Sequence, residues 1–301
     1  MAKYGIPYQG SKSGIADKII SFLPKGKRFV DLFGGGFAMT ECAMRSGKYH
    51  SFLYNELNPL LPKLIKEAIS GKYNYDVFKP KWIDRETFNN LKETDGYIKC
   101  CWSFSNGGRQ YLFGKDLEPK KKSLHNFVVF GIKDEFIQTH FKDIDKYITG
   151  DDIRKRRMLL GRYMKMKQQR RPYRELEQLE RLEQLERLQQ LERLEQLERL
   201  QQLERLEITC SSYDEYQYTD GDIVYCDPPY ESTTGYSSGF DSKAFYDWVA
   251  SRDYPVWFSS YQGISDKRFD MVYAIGKVNL MAGASGQKKN YECVYWNKVS
   301  L

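Results

Sequence analysis

The chain is poor in residues that would hold a metal. Among its 301 residues are three His and six Cys: Cys42, Cys100, Cys101, Cys210, Cys226 and Cys293. No two cysteines form a CxxC pair, and the histidines show no ligand spacing, so no metal site is expected. The thiols are expected to be reduced and packed as small hydrophobes. No run approaches the ~20 apolar residues that a membrane span needs. The opening Met1-Ala-Lys-Tyr-Gly-Ile-Pro lacks the apolar core of a signal peptide. Both absences point to the cytoplasm and away from membranes. No glycine turn ends in Lys-Ser/Thr, which argues against ATP. One stretch lacks acid altogether: Ile153 to Arg174 carries ten Lys or Arg and no Asp or Glu.

What is present is a globular composition, 41% hydrophobic and 15% aromatic with 23 Tyr. That is enough for one large or two medium domains with a real core. The net charge is +7. Leu176 to Glu207 hold nine Glu and five Arg, so the remainder carries +11. A polyanionic partner fits that surplus, although basic surfaces also serve solubility.

The most informative stretch is Asp222-Ile-Val-Tyr-Cys-Asp227-Pro228-Pro229-Tyr230. Its apolar run suits a buried strand of a parallel sheet. Proline cannot donate to a ladder, so the strand stops at Asp227. A stiff turn then stands at the strand's carboxyl end, where open α/β sheets place ligands. Such a turn suits methylation of an exocyclic amine. A carboxylate and a proline-supplied carbonyl can accept hydrogen bonds from the NH2 group and balance the positive charge that grows there. Tyr230 can stack on a base taken out of the duplex. The competing reading is a plain strand followed by a Pro-Pro turn.

Upstream, Arg28-Phe-Val-Asp31-Leu-Phe33 reads as a strand, Gly34-Gly35-Gly36-Phe37 as a turn, and Ala38 to Arg45 as a helix. That layout brings a cofactor against backbone amides. A second strand, His50 to Tyr54, precedes Asn55-Glu56. Glu56 lies 20 residues after Gly36, a spacing at which an acid binds ribose hydroxyls. Pro7 to Lys12 open the chain, and Ser11 can start a helix through Ile15, Ile19 and Ile20.

In the middle, Asp84 to Leu91 and Lys133 to Ile148 read as helices. Ser103 to Tyr111, which includes Asn106 and Arg109, is a polar segment between aromatics and suits contacts to bases and phosphates. It reads equally as a surface hairpin. The basic run, with Arg154, Arg156, Arg157 and Lys165, reads as a phosphate-facing surface or as an ordinary solvated face. From Leu176 to Leu206 leucine recurs at every third position. Helix formers dominate this repeat, yet a period of 3.0 makes no single apolar stripe on an α-helix. A helix and a small solenoid both remain open, in a segment without catalytic residues. A dimerising surface, a spacer and slippage tolerated at an exposed site are its candidate roles. After the central strand, Glu231 to Gly239 reads as a loop able to close over substrate, and Asp241 to Ala250 as a helix. Pro255 to Ser260, Met271 to Ile275 and Tyr291 to Trp296 read as strands, the last two as a pair. Ala282 to Asn290 reads as a polar loop near DNA or an ordinary hairpin loop.

In order, these pieces resemble the DNA adenine methylase family, which methylates adenine N6 with S-adenosylmethionine. The resemblance rests on Pro7 to Lys12, Phe33 to Phe37, Glu56-Leu57-Asn58 and Asp227 to Tyr230. It implies an α/β fold, a Rossmann-like methyltransferase sheet with a reversed final strand and an inserted, mainly helical target-recognition domain. The expected divisions are 1–74 and 208–301 for the catalytic domain, 75–172 for the DNA-binding insert and 173–207 for the leucine repeat. By resemblance Tyr8, Lys12, Asp31, Phe33, Gly34, Gly36, Glu56 and Asp227 line the cofactor site. Lys12 lies near the methionine carboxylate, and Glu56 stands where the family usually has Asp. Asp227, Pro228, Pro229 and Tyr230 form the catalytic motif, and double-stranded DNA is the partner. Cytosine-N4 or protein-amide methylation, and an inactive DNA-binding or self-associating protein, are the alternatives.

Overall fold

The structure, a computed structural model, describes residues 3–6, 8–104, 108–168, 186–230, 239–261, 263–278 and 290–300. It divides into two compact units, Met1–Lys66 with Leu200–Leu301, and Glu67–Arg199.

The first unit is built on a seven-stranded sheet. Its strands are β1 (Arg28–Asp31), β2 (Ser51–Asn55), β3 (Leu206–Thr209), β4 (Asp222–Cys226), β5 (Val256–Tyr261), β6 (Asp270–Val278) and β7 (Asn290–Trp296). Their spatial order is β3-β2-β1-β4-β5-β7-β6. The pairs among β1 to β5 are parallel, while β7 runs antiparallel to both β5 and β6. This is the mixed, Rossmann-like sheet with one reversed strand that the resemblance implies. β6 and β7 pair as the sequence suggests.

The strands are apolar because both faces are covered. On one face Val30, Leu53, Val224, Phe258 and Tyr295 pack with Phe245 and Trp248. The last two come from the helix Ser242–Ala250, which Asp241 caps by accepting from Ala244 N at 2.9 Å. Alternation sends Phe29, Phe52, Ile223 and Tyr225, all fully buried, to the other face. Two short helices, α1 (Ala16–Phe22) and α2 (Ala38–Ser46), belong to the same unit. Between β1 and β4 the strand order reverses direction along the sheet. A crevice outside the carboxyl ends of such a strand pair is where this architecture binds ligands.

The second unit is helical. It contains α4 (Arg85–Leu91), α5 (Gly96–Cys101), α6 (Glu118–Phe130), α7 (Glu135–His140), α8 (Ile153–Gln168) and α9 (Glu186–Glu198), after an α3 (Leu60–Ile69) that leads into it. Asp84, Asp95 and Asp134 cap three of these helices by accepting from Thr87 N, Ile98 N and Ile137 N. Lys133 to Ile148 is not one helix, as the sequence suggests. It is α7 followed by a 3-10 turn at Ile144–Lys146. Asp134 starts the helix, and Phe141 leaves helical backbone with its ring packed edge-on to Tyr163.

The described part of the leucine repeat takes three conformations. Glu186–Glu198 is α-helix, with Leu194 and Leu197 buried. Leu203–Arg205 is a 3-10 turn, entered through Gln202 in a left-handed conformation, and Leu206 opens β3. No solenoid turn occurs among the described residues. Helix propensity holds where two leucines three apart can be buried together, and sheet pairing overrides it at Leu206.

Among the described residues no helix is long and apolar enough to cross a membrane. Among the same residues no group of three or more His, Cys, Asp or Glu side chains could hold a metal ion, and no disulfide joins the six cysteines.

Candidate active site

β1 and β4 pair in parallel, with Asp31 opposite Tyr225. The glycine turn leaves β1 and the Asp-Pro-Pro-Tyr turn leaves β4, so the two emerge side by side at the carboxyl ends of neighbouring interior strands.

The glycine turn is fixed from both sides. Gly34 N donates to Asn55 O at 2.8 Å, and the Tyr54 hydroxyl donates to Gly35 O at 2.8 Å. Glu56 uses one oxygen to accept from Gly35 N and the other to accept from Asn58 N, each at 2.9 Å. Gly34 and Gly36 are glycines for reasons of space. A Cβ at Gly34 would stand 2.2 Å from the Tyr54 ring, and one at Gly36 would stand 2.8 Å from Ile6 O. Phe37 then enters α2 with φ 70° and a fully buried ring.

The N-terminal segment is tied to this turn. Ile6 N donates to Gly36 O at 2.7 Å, and Gly5 N donates to Glu41 Oε2 at 2.6 Å. The chain then passes Tyr8, whose ring lies 3.4 Å from where a Cβ of Gly35 would stand. It turns at Tyr8 to Ser11 and forms the 3-10 turn Lys12–Gly14, whose Ser13 N donates to Ser11 Oγ. This is shorter than the helix read from Ser11; α1 starts only at Ala16.

Lys12 thereby reaches the β4 tip. Its Nζ lies 2.8 Å from Asp227 Oδ1 and 3.4 Å from Glu292 Oε1, and sits 4.9 Å from the centre of the Tyr230 ring. The Tyr230 hydroxyl contacts Asp227 Oδ1 at 3.1 Å and also Glu292 Oε1. The Tyr230 ring meets Tyr261 edge-on at 4.6 Å. Pro228 is buried, and Asp227, Pro229 and Tyr230 are half-buried.

Two carboxyls beside the glycine turn have affinities for protons above the ordinary range. Asp31 is 1% exposed. Burial, with Asp227 and Glu56 adding to it, pushes its pKa up to about 7 against the hydrogen bond from Thr40. Thr40 serves Oδ2 at 2.8 Å, and Oδ1 has no hydrogen-bond partner. Burial also raises Glu56, opposed by its backbone donors. A buried carboxylate oxygen without a donor is a place for a cationic or hydrogen-bonding group. Phe33 offers an aromatic wall beside the turn, stacked on Tyr213 at 5.3 Å.

A family model for D12 class N6 adenine-specific DNA methyltransferases matches residues 8–130 and 157–249. The chain belongs to that family. No curated protein matches it. As a D12 class N6 adenine-specific methyltransferase it is an enzyme that methylates adenine N6 in DNA. The match takes in Tyr8, Lys12, Asp31, the glycine turn, Glu56 and Asp227 to Tyr230, all of which the fold gathers at the carboxyl ends of the parallel strands.

Glu292 was not among the residues singled out in the sequence, and it lies outside the matched residues. It is 3% exposed, in β7 opposite Tyr261. The available signal was a lone acid in a strand of Cys, Val, Tyr and Trp, since an unneutralised carboxylate rarely enters a core.

The residues expected to meet DNA divide into two kinds. Arg154 donates to Glu195, and also contacts Asp76, Asp152 and Asn74. Arg157 pairs with Glu192, and Arg156 with Asp151 and Gly150 O. Glutamates of the leucine-repeat helix α9 thus hold two arginines of α8. Lys165 and Arg109 are exposed, and Asn106 lies outside the described residues, as do 231–238 and 282–289.

Proposed function

We propose that this D12 class enzyme transfers a methyl group from S-adenosylmethionine to N6 of an adenine swung out of double-stranded DNA at specific sites. The observation that carries the reading is the meeting of Lys12, Tyr230 and Asp227 beside the glycine turn, at the reversal between β1 and β4. S-adenosylmethionine supplies, when bound, an electrophilic methyl group on a positively charged sulfur.

The residues present suit that donor. Asp31 Oδ1 lacks a donor, and an ammonium group would supply one. Glycines 34 to 36 let a ligand approach the backbone. Glu56 spends one lone pair of each oxygen on an amide and retains others for ribose hydroxyls. Phe33 gives a flat apolar surface for a purine.

The target amine is a poor nucleophile because its lone pair is shared with the ring. Asp227 and the carbonyl of Pro228 accept its hydrogens, localise that pair and stabilise the charge that develops. Holding the amine in line with the methyl group supplies much of the remaining acceleration. Tyr230 provides the ring on which the everted base stacks. Exposed Lys165 and Arg109 are proposed phosphate contacts. Cytosine-N4 and protein-amide substrates lose their footing with membership of an adenine-specific family.

Two measurements test this reading. Equilibrium dialysis should show S-adenosylmethionine bound in a ratio of about one per chain, as a single pocket requires. With 2-aminopurine at the target position, fluorescence should rise on binding as the base leaves the stack. Failure to bind the cofactor would overturn the donor assignment, and unchanged fluorescence in a sequence the enzyme methylates when adenine holds the target position would overturn base flipping.

A further inference from the structure

We propose that Glu292 is the proton acceptor of the reaction, reached from Asp227 through the Tyr230 hydroxyl. The proposal rests on the role given above to Asp227.

The geometry is that of a relay. The Tyr230 Oη touches Asp227 Oδ1 on one side and Glu292 Oε1 on the other. A hydroxyl has one proton and cannot donate to two carboxylates at once. Before the reaction, with both acids ionised, the Tyr230 hydroxyl donates to Glu292, and its contact with Asp227 becomes a hydrogen bond once Asp227 carries a proton. Asp227, Tyr230 and Glu292 therefore form a linked set with one proton position beyond the hydroxyl's own.

The reaction generates one such proton. Methylation replaces an N6–H bond with an N6–C bond, so each turnover must dispose of H⁺. The N6–H bond breaks as its proton passes to the Asp227 carboxylate. Asp227 passes it to Tyr230 Oη while the Tyr230 O–H proton moves to Glu292 Oε1. One O–H bond has then formed at Glu292, and Asp227 and Tyr230 are restored. No oxidant, reductant or further reagent is required.

Glu292 has the surroundings of an acceptor. Burial raises its proton affinity, Lys12 opposes that, and Asp227 adds to it. Among the described residues the other titratable groups around it include Tyr225, Tyr230, Tyr261 and Cys293. Burial pushes all four upward, so they stay neutral. Among the described residues Lys12 and Asp227 are thus the charges that shift Glu292. A purely structural Glu292 would serve Lys12 and Tyr230 as a hydrogen-bond partner, a role an isosteric amide can fill.

The test compares wild type, Glu292→Gln and Tyr230→Phe in single turnover with S-adenosylmethionine and DNA, in mixtures of light and heavy water. Both variants should slow the chemical step by about 100-fold or more, the scale of a lost proton-transfer partner. The rate of the wild type should depend on more than one exchangeable proton, and that of each variant on one at most. Infrared titration of the free enzyme should show carboxyls above the ordinary range, Asp31 and Glu56 among them, and Glu292→Gln should remove one of these bands. A folded Glu292→Gln protein with wild-type rate and isotope dependence overturns the relay. Should that variant fail to fold, an unchanged isotope dependence in Tyr230→Phe overturns it instead. Absence of N6-methyladenine from the wild-type reaction would overturn the underlying reading rather than the relay.

Discussion

Lys12 Nζ stands 2.8 Å from Asp227 Oδ1, joining a turn near the start of the chain to the tip of its central strand. The ammonium gives the Asp227 carboxylate a charged hydrogen-bond partner at the strand tip. Replacing Lys12 with Gln removes that charge. Glu292, whose protonation Lys12 opposes, then takes up a proton more readily, so the acid limb of the rate profile should move to higher pH. The rate near neutrality should fall by roughly 10-fold or more. A rate measurement across pH checks this; an acid limb that stays in place would contradict it.

The glycine turn offers a steric prediction. Gly36→Ala forces a Cβ to within 2.8 Å of a backbone carbonyl, that of Ile6, and 2.7 Å of Tyr8 Cβ. The cost should be about 1–3 kcal/mol of stability, because neither backbone nor Tyr8 can yield without disturbing the turn. Thermal unfolding and cofactor dialysis should both register it. A variant with unchanged melting temperature and cofactor affinity would contradict the packing described.

Asp31 gives stability a pH dependence of known sign. Its carboxyl titrates near 3.8 when unfolded and about 7 in the fold. Between those values the native state binds the extra proton, so stability falls as pH rises through the window and is level above it. The loss should be on the order of 4 kcal/mol relative to an Asp31→Asn protein, in which the dependence is absent. A donor to Oδ1 from the cofactor would favour the ionised form. Binding near pH 6 should then release a proton, read by calorimetry in buffers of different ionisation enthalpy. Heats that do not depend on buffer would argue against a contact at Asp31.

The basic helix separates two roles for cations. Arg154 is paired with the buried Glu195, so Arg154→Ala should lower the stability of the second unit by about 2 kcal/mol, discounted for its partial exposure. Lys165→Ala should leave stability unchanged and reduce the slope of log affinity for DNA against log salt by about one. Melting curves and binding at several salt concentrations distinguish them. A Lys165 variant with an unchanged salt slope would remove that residue from the DNA surface.

Much of the site was legible because its parts are local. Asp227 to Tyr230 announce a strand end through proline chemistry, and Gly34 to Gly36 announce a backbone that must be approached. Their adjacency was implied by the family resemblance alone, because β1 and β4 are not consecutive strands. Glu292 was not legible, since its meaning depends on a partner near the other end of the chain and on the reversal of β7. The pairing of Arg154 and Arg157 with Glu195 and Glu192 was hidden for the same reason. An acid-free run suggests a free cationic face until a separate acidic helix is seen against it. The repeat shows the limit of propensity: Leu197 is helical and Leu206 is in a strand, within one sequence pattern.

The most direct test of the central claim uses S-adenosylmethionine labelled in its methyl group, unmethylated double-stranded DNA and nucleoside analysis, with Asp227→Ala as the matched control. The account predicts label in N6-methyladenine for the wild type. It predicts a loss of at least about 100-fold for a variant that still folds. Label in another nucleoside, or undiminished methylation by the folded variant, would contradict it.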